Sequence, residues 1–112
     1  MIWIVTPTGN RQRGIDLLVG YLNAQTYTGP ATWMIVDDCD PVTAIPPRRQ
    51  GIVPVVIRPP WRWQSGMNTQ AKSMAEALRH VPHDARCIVM EDDDLYMPGH
   101  IETVLSALES AD

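Results

Sequence analysis

Four short apolar runs divide the chain, and each stops on residues that cannot follow it into a core. Residues 2–6 stop at Pro7-Thr8-Gly9-Asn10 and residues 33–36 at Asp37-Asp38, while residues 53–57 stop at Arg58-Pro59-Pro60 and residues 87–90 at Glu91-Asp92-Asp93-Asp94. Short runs rich in Ile, Val and Trp, bounded by Pro, Gly or Asp, read as strands. Apolar on both faces, they suit a parallel sheet covered by helices. Between them the hydrophobic period lengthens. Ile15, Leu18, Val19 and Leu22 make one face of a helix over residues 13–25. Ala71, Met74, Ala75 and Leu78 form a second stripe that starts at Asn68 and ends at Pro82, and Ile101, Val104, Leu105 and Leu108 form a third after Pro98. The proline-rich residues 39–50 and the segment 58–66 around Trp61-Arg62-Trp63 read as loops, and Pro54 puts its strand at an edge or a strand start. This alternation predicts an α/β fold in one domain over residues 1–112: a three-layer, mostly parallel open sheet with about four strands, about three helices and right-handed crossovers.

Composition narrows the function classes. With 45% apolar and 20% charged residues the chain is a folding one, and a net charge of −4 gives no general attraction to nucleic acid or anionic membrane. No apolar run approaches spanning length. Cys39 and Cys87 make neither a disulfide framework nor a zinc pattern, so reduced thiols and a cytoplasmic location are expected. The loop after the first strand, Thr-Pro-Thr-Gly-Asn, is neither G-x-G-x-x-G nor a P-loop, which argues against dinucleotide oxidoreductases and P-loop nucleotidases. A phospho-receiver domain would place its acids after the first and third strands, not the second and fourth.

In a parallel sheet the C-terminal ends of the first, second and fourth strands converge on the side where open α/β sheets bind ligands. Four successive carboxylates resist burial unless a cation neutralises them. A hard divalent ion, Mn²⁺ or Mg²⁺, held by one or two carboxylates and substrate phosphates fits that need; the competing reading is a solvated acidic loop. Thr6 and Thr8 either offer hydroxyls to a ligand or cap the turn. Asp37 and Asp38 either hold a base and ribose or close a turn through Asx hydrogen bonds. Asn68 and Lys72 could bring an amide and a cation to the same edge, although a solvated lysine is the commoner case. The two tryptophans of residues 58–66 are core, a lid or an exposed patch, and Arg62 between them meets a phosphate or a surface carboxylate.

The order of these pieces resembles the start of a family 2-type glycosyltransferase with the GT-A fold, a Rossmann-like half. The resemblance is carried by Ile-Val-Thr-Pro-Thr, a helix ending Tyr-Leu-Asn-Ala-Gln-Thr-Tyr, Trp-Met-Ile-Val-Asp-Asp, the Asn68-Thr69-Gln70-Ala71-Lys72-Ser73 stretch, and Met90–Asp94 with Tyr96-Met97-Pro98 behind it. It covers nearly the whole chain, with Lys72 where the family usually has Arg. It implies a nucleotide-diphospho-sugar donor, most simply a UDP-sugar. Thr6, Pro7 and Thr8 would line the base pocket, Asp37 and Asp38 would hold base and ribose, Lys72 would approach the diphosphate or the base region, and Asn68 and Asp92 would also belong to the nucleotide site. Asp92, Asp93 and Asp94 would be the metal-binding Asp-x-Asp region, with Asp93 the first choice and two alignments open, according to whether Glu91 or Asp92 is counted first. The family's second half supplies the acceptor site and, in inverting members, a general base; these residues hold no counterpart, so the domain is expected to be incomplete. Glu102 and Glu109 read as a solvated helix face, no catalytic residue is assigned, and an oligomer or partner chain could complete the site. The alternative is a non-catalytic nucleotide-binding or interaction module.

Overall fold

The computed structural model describes residues 1–110. Strands β1 (Ile2–Thr8), β2 (Ala31–Asp37), β3 (Ile52–Ile57) and β4 (Arg86–Val89) form one sheet, all parallel, in the order β3-β2-β1-β4. Helices α1 (Gln12–Asn23), α2 (Gln70–His80) and α3 (His100–Ser110) cover it. The fold class expected from the sequence is the one found. Strand ends moved by a residue or two, most usefully at β1, which continues through Pro7 and Thr8.

Alternation along the strands splits the core in two. Ile4, Trp33, Ile35, Ile88 and Met90 face α1 and α3, while Val5, Met34 and Val36 face α2. The α1 stripe predicted from periodicity is the one buried, each of its four side chains contributing about 1.5–3 kcal/mol. From β1 the chain moves one way across the sheet under α1 and returns past it under α2 on the opposite face, so both crossovers have one hand, as the right-handed rule requires. Pro54 lies on β3, an edge strand, where its missing N–H leaves no gap in the ladder.

α2 departs from expectation. Its buried residues are Ser73 and Ala77, with Met74 alongside, and Leu78 remains 53% exposed. α2 lies over β1 and β2, and the small Ser73 and Ala77 are the side chains on its face to the sheet. Apolarity picked the wrong face because this contact is lined by small residues, not large ones. The link from β2 to β3 has no helix. It is tied instead by the Gln12 amide, which exchanges two hydrogen bonds with the Ala44 backbone, and by Arg49, which donates to the carbonyls of Gly29 and Gln50.

Candidate functional site

The chain leaves β1 for β2 and β3 on one side and returns to place β4 on the other, so the strand order reverses between β1 and β4. Ligand crevices of open α/β sheets form at such a point, beyond the strand C-termini. A cleft of about 320 Å³ opens there, its floor from the β1 end, its walls from the loop before α2 and from the acid run after β4.

The β1 residues divide sharply. Pro7 and Thr8 line the cleft; Thr6 does not. The Thr6 hydroxyl donates to the Met90 carbonyl at 2.7 Å and accepts the Trp33 indole N–H at 2.9 Å, so it is a strut between β1, β2 and β4. Thr8 donates to Asp92 Oδ2 at 2.6 Å. Neither hydroxyl caps α1, whose N-terminus has no side-chain cap.

Asp37 and Asp38 both lie under the surface. Asp37, 0% exposed, accepts from the backbone N–H groups of Cys39 and Thr43 and from the Thr43 hydroxyl, and pairs with Arg58 at 3.2 Å. The Cys39 bond is the Asx turn weighed above. With those partners its carboxylate organises the loop, and it does not line the cleft. Asp38, 1% exposed, accepts the Trp61 indole N–H at 3.0 Å, and its other oxygen is buried without a partner. That oxygen lies against Gly9, where any Cβ would fall far inside contact distance. Only a glycine lets the cleft floor lie this close to the carboxylate.

Lys72 is also displaced from its expected place. Its ammonium sits 4.4 Å from the centre of the Trp61 ring, a cation–π contact outside the cleft. Asn68 does border the cleft, and its side-chain oxygen accepts the Gln70 N–H just ahead of α2. Arg62 turns back to the Trp61 carbonyl at 2.7 Å. The cation that does line the cleft is Arg11, 3.8 Å from Asp93, with both side chains half exposed.

The acid run separates as well. Oxygens of Glu91, Asp93 and Asp94 lie within 4.8 Å of one another, a group that could hold a metal ion, and Asp92 is not among them. Asp92 points to Thr8 instead, while Gln70 donates to Glu91. Of the expected ligands, Asp93 and Asp94 therefore stand with Glu91, and Asp92 is replaced in that group. Hard, all-oxygen donors suit Mn²⁺ or Mg²⁺, the class of ion expected. Burial holds the Glu91 carboxyl above its usual range, helped by a hydrogen bond to Asp94 and the charges of Asp93, Asp94 and Asp92. Asp92 is raised chiefly by burial, against the opposing Thr8 bond and Arg11 charge.

A raised carboxyl binds its proton more tightly folded than unfolded, so its charged form costs stability, and acidification through the folded value recovers it. In cation-free protein, Asp92→Asn is therefore expected to melt higher than the unaltered chain at neutral pH. That gap should close as pH falls toward the ordinary aspartate value of about 3.9. Thermal melts at both ends of this window check it, and a gap independent of pH would contradict the burial assignment.

Glu102 and Glu109 lie exposed on α3, Glu109 paired with Arg86 at 3.1 Å. Among the described residues, no helix is long and apolar enough to cross a membrane. Besides Arg11, the sequence reading gave no site role to Gln70 or Ser73, which also line the cleft, as does Trp63, weighed there as core, lid or exposed patch. No family model, curated protein or solved structure matches the chain.

Proposed function

We propose that this chain is the donor-binding part of a metal-dependent glycosyltransferase that uses a nucleotide-diphospho-sugar. One observation carries the proposal: the carboxylates of Glu91, Asp93 and Asp94 gather within 4.8 Å of one another, and Glu91 and Asp93 line a cleft at the strand-order reversal, beside hydroxyl and amide groups. Like charges this close call for a cation, and a diphosphate would complete its oxygen shell. A divalent ion there supplies charge neutralisation to a departing nucleoside diphosphate. The chain's own groups do the positioning. Thr8 holds Asp92, Gln70 holds Glu91, and Arg11 brings a guanidinium to the phosphate side of the cleft. Glu102 and Glu109 point away from duty as a general base, since one is solvated and the other is engaged with Arg86. Donor binding, with the acceptor and base supplied by a partner chain or further sequence, is thus the activity assigned to these residues. A binding module without turnover would share the same cleft.

Calorimetry with UDP tests the proposal. Affinity should rise at least about tenfold when Mn²⁺ replaces EDTA, a difference of about 1.4 kcal/mol. Asp93→Asn should remove most of that gain while leaving the melting temperature of the metal-free protein unchanged or slightly higher, because one repulsive charge is gone. Equal affinity in Mn²⁺ and EDTA would overturn the metal-dependent reading.

A further inference from the structure

The cleft lining has two chemically different groups. Glu91, Asp92, Asp93 and Arg11 are charged, whereas Pro7, Gly9, Trp63 and Met67, with Trp63 in contact with Gly9 and Met67, offer almost no polar side-chain atoms. Taking the donor-binding assignment as its basis, we propose that the Trp63 indole is the platform on which the donor's nucleobase stacks, so that nucleoside recognition rests on the loop between β3 and α2 rather than on Asp37 and Asp38.

Trp63 is built to present a ring and nothing else. Its backbone N–H donates to the Asp38 carbonyl at 2.7 Å, and its indole N–H donates to the Met67 carbonyl at 3.0 Å. The one polar atom of the side chain is spent within the loop, which leaves aromatic carbon facing the cleft. A methyl on Gly9 would also crowd the Trp63 Cβ, so the glycine lets the Trp63 loop seat closely against the β1 end. Met67 adds a polarisable neighbour, 37% exposed. The two aspartates that might have read the base are shut away, Asp37 by its own loop and Asp38 beneath Gly9 and Trp61. An aromatic side chain and a carboxylate cluster lining one cleft match a ligand with a flat ring and a metal-bound diphosphate. Stacking tolerates any base, so the platform supplies affinity for a nucleoside without choosing among bases.

The test compares UDP with inorganic pyrophosphate, each with Mn²⁺, on the unaltered chain, Trp63→Leu and Trp63→Phe. Trp63→Leu keeps the backbone bond to Asp38 and should weaken UDP roughly ten- to hundredfold, with pyrophosphate unchanged. Trp63→Phe should restore most of the loss. Nuclear Overhauser contacts between the Trp63 ring and uracil H5 and H6 in the unaltered chain should be present, and they require no substitution. If pyrophosphate and UDP weaken together, Trp63 is merely structural and the platform is wrong. If a UDP-sugar weakens while UDP does not, the ring serves the sugar and the proposal fails. Normal Mn²⁺-dependent binding of UDP with no Trp63 effect and no such contacts overturns the platform alone. Binding of neither probe to the unaltered chain overturns the donor-binding assignment with it.

Discussion

Replacing Asp37 by alanine is expected to cost about 3–5 kcal/mol of folding stability, the penalty for breaking a buried ion pair by removing one partner. The side chain is fully enclosed and is the common acceptor for the Cys39 and Thr43 backbone N–H groups, the Thr43 hydroxyl and the Arg58 guanidinium. Its loss strands the buried Thr43 N–H and leaves Arg58 with only the carbonyls of Asp37 and Cys39. For a single domain with about 5–15 kcal/mol in total, that is between about a fifth and the whole. Asp37→Asn keeps one acceptor oxygen and should cost less, about 1–3 kcal/mol, the desolvation penalty of the contacts its amide cannot accept. Urea denaturation of the three proteins reads both numbers. A loss under about 1 kcal/mol for Asp37→Ala, accompanied by a loss of nucleotide affinity, would show that the carboxylate serves a ligand after all.

That contrast shows where the sequence stopped being informative. Patterning alone placed four strands, the buried face of α1 and the convergence of strand ends, because burial on both sheet faces and a 3.6-residue period leave direct marks on residue type. Asp37 and Asp38 look identical in sequence, yet one clips a loop and the other lies under Gly9 and Trp61. Their roles are decided by Thr43 and Arg58 and by the tryptophan loop, partners whose arrival only the tertiary fold settles. The acid run failed in a related way. The run leaves β4 as a turn rather than as extended strand, so alternation does not govern it: Glu91, Asp93 and Asp94 meet while Asp92 turns to Thr8. Counting carboxylates could not tell which ones meet. Arg11 had a signal that went unread, since it follows the Gly9-Asn10 turn at the entrance to α1, directly opposite the acids. Lys72 was placed by its position on the helix leading into β4 and by resemblance to a motif, and nothing in its neighbouring sequence marked the Trp61 ring as its partner.

Two glycines of α1 should answer the same substitution with opposite signs. In an exposed helix interior, Gly→Ala normally gains about 0.8–1.0 kcal/mol, because glycine has more backbone freedom to lose. Gly20 has nothing near the position a Cβ would take, so Gly20→Ala should raise stability by about that amount. At Gly14 a Cβ would drive into the Asp92 backbone carbonyl, where the acid run crosses the first turns of α1. A backbone atom cannot rotate aside as a side chain can. Either α1 or the Glu91–Asp94 turn must shift, and overpacking of this kind costs about 1–3 kcal/mol, more than the propensity gain returns. The functional effect should be larger than the structural one. Displacing the carboxylates by about 1 Å disturbs the placement on which a metal-bridged diphosphate depends, and errors of that size cost about 10²-fold. Gly14→Ala should therefore lower the melting temperature modestly and weaken Mn²⁺-dependent UDP binding by about that factor, with Gly20→Ala indistinguishable from the unaltered chain in binding and more stable. Paired melts and Mn²⁺ titrations of the two variants separate the effects. Unchanged UDP affinity in Gly14→Ala would mean that the acid turn does not hold the phosphates, and equal stabilisation by both substitutions would show that Asp92 does not pack on α1 at all.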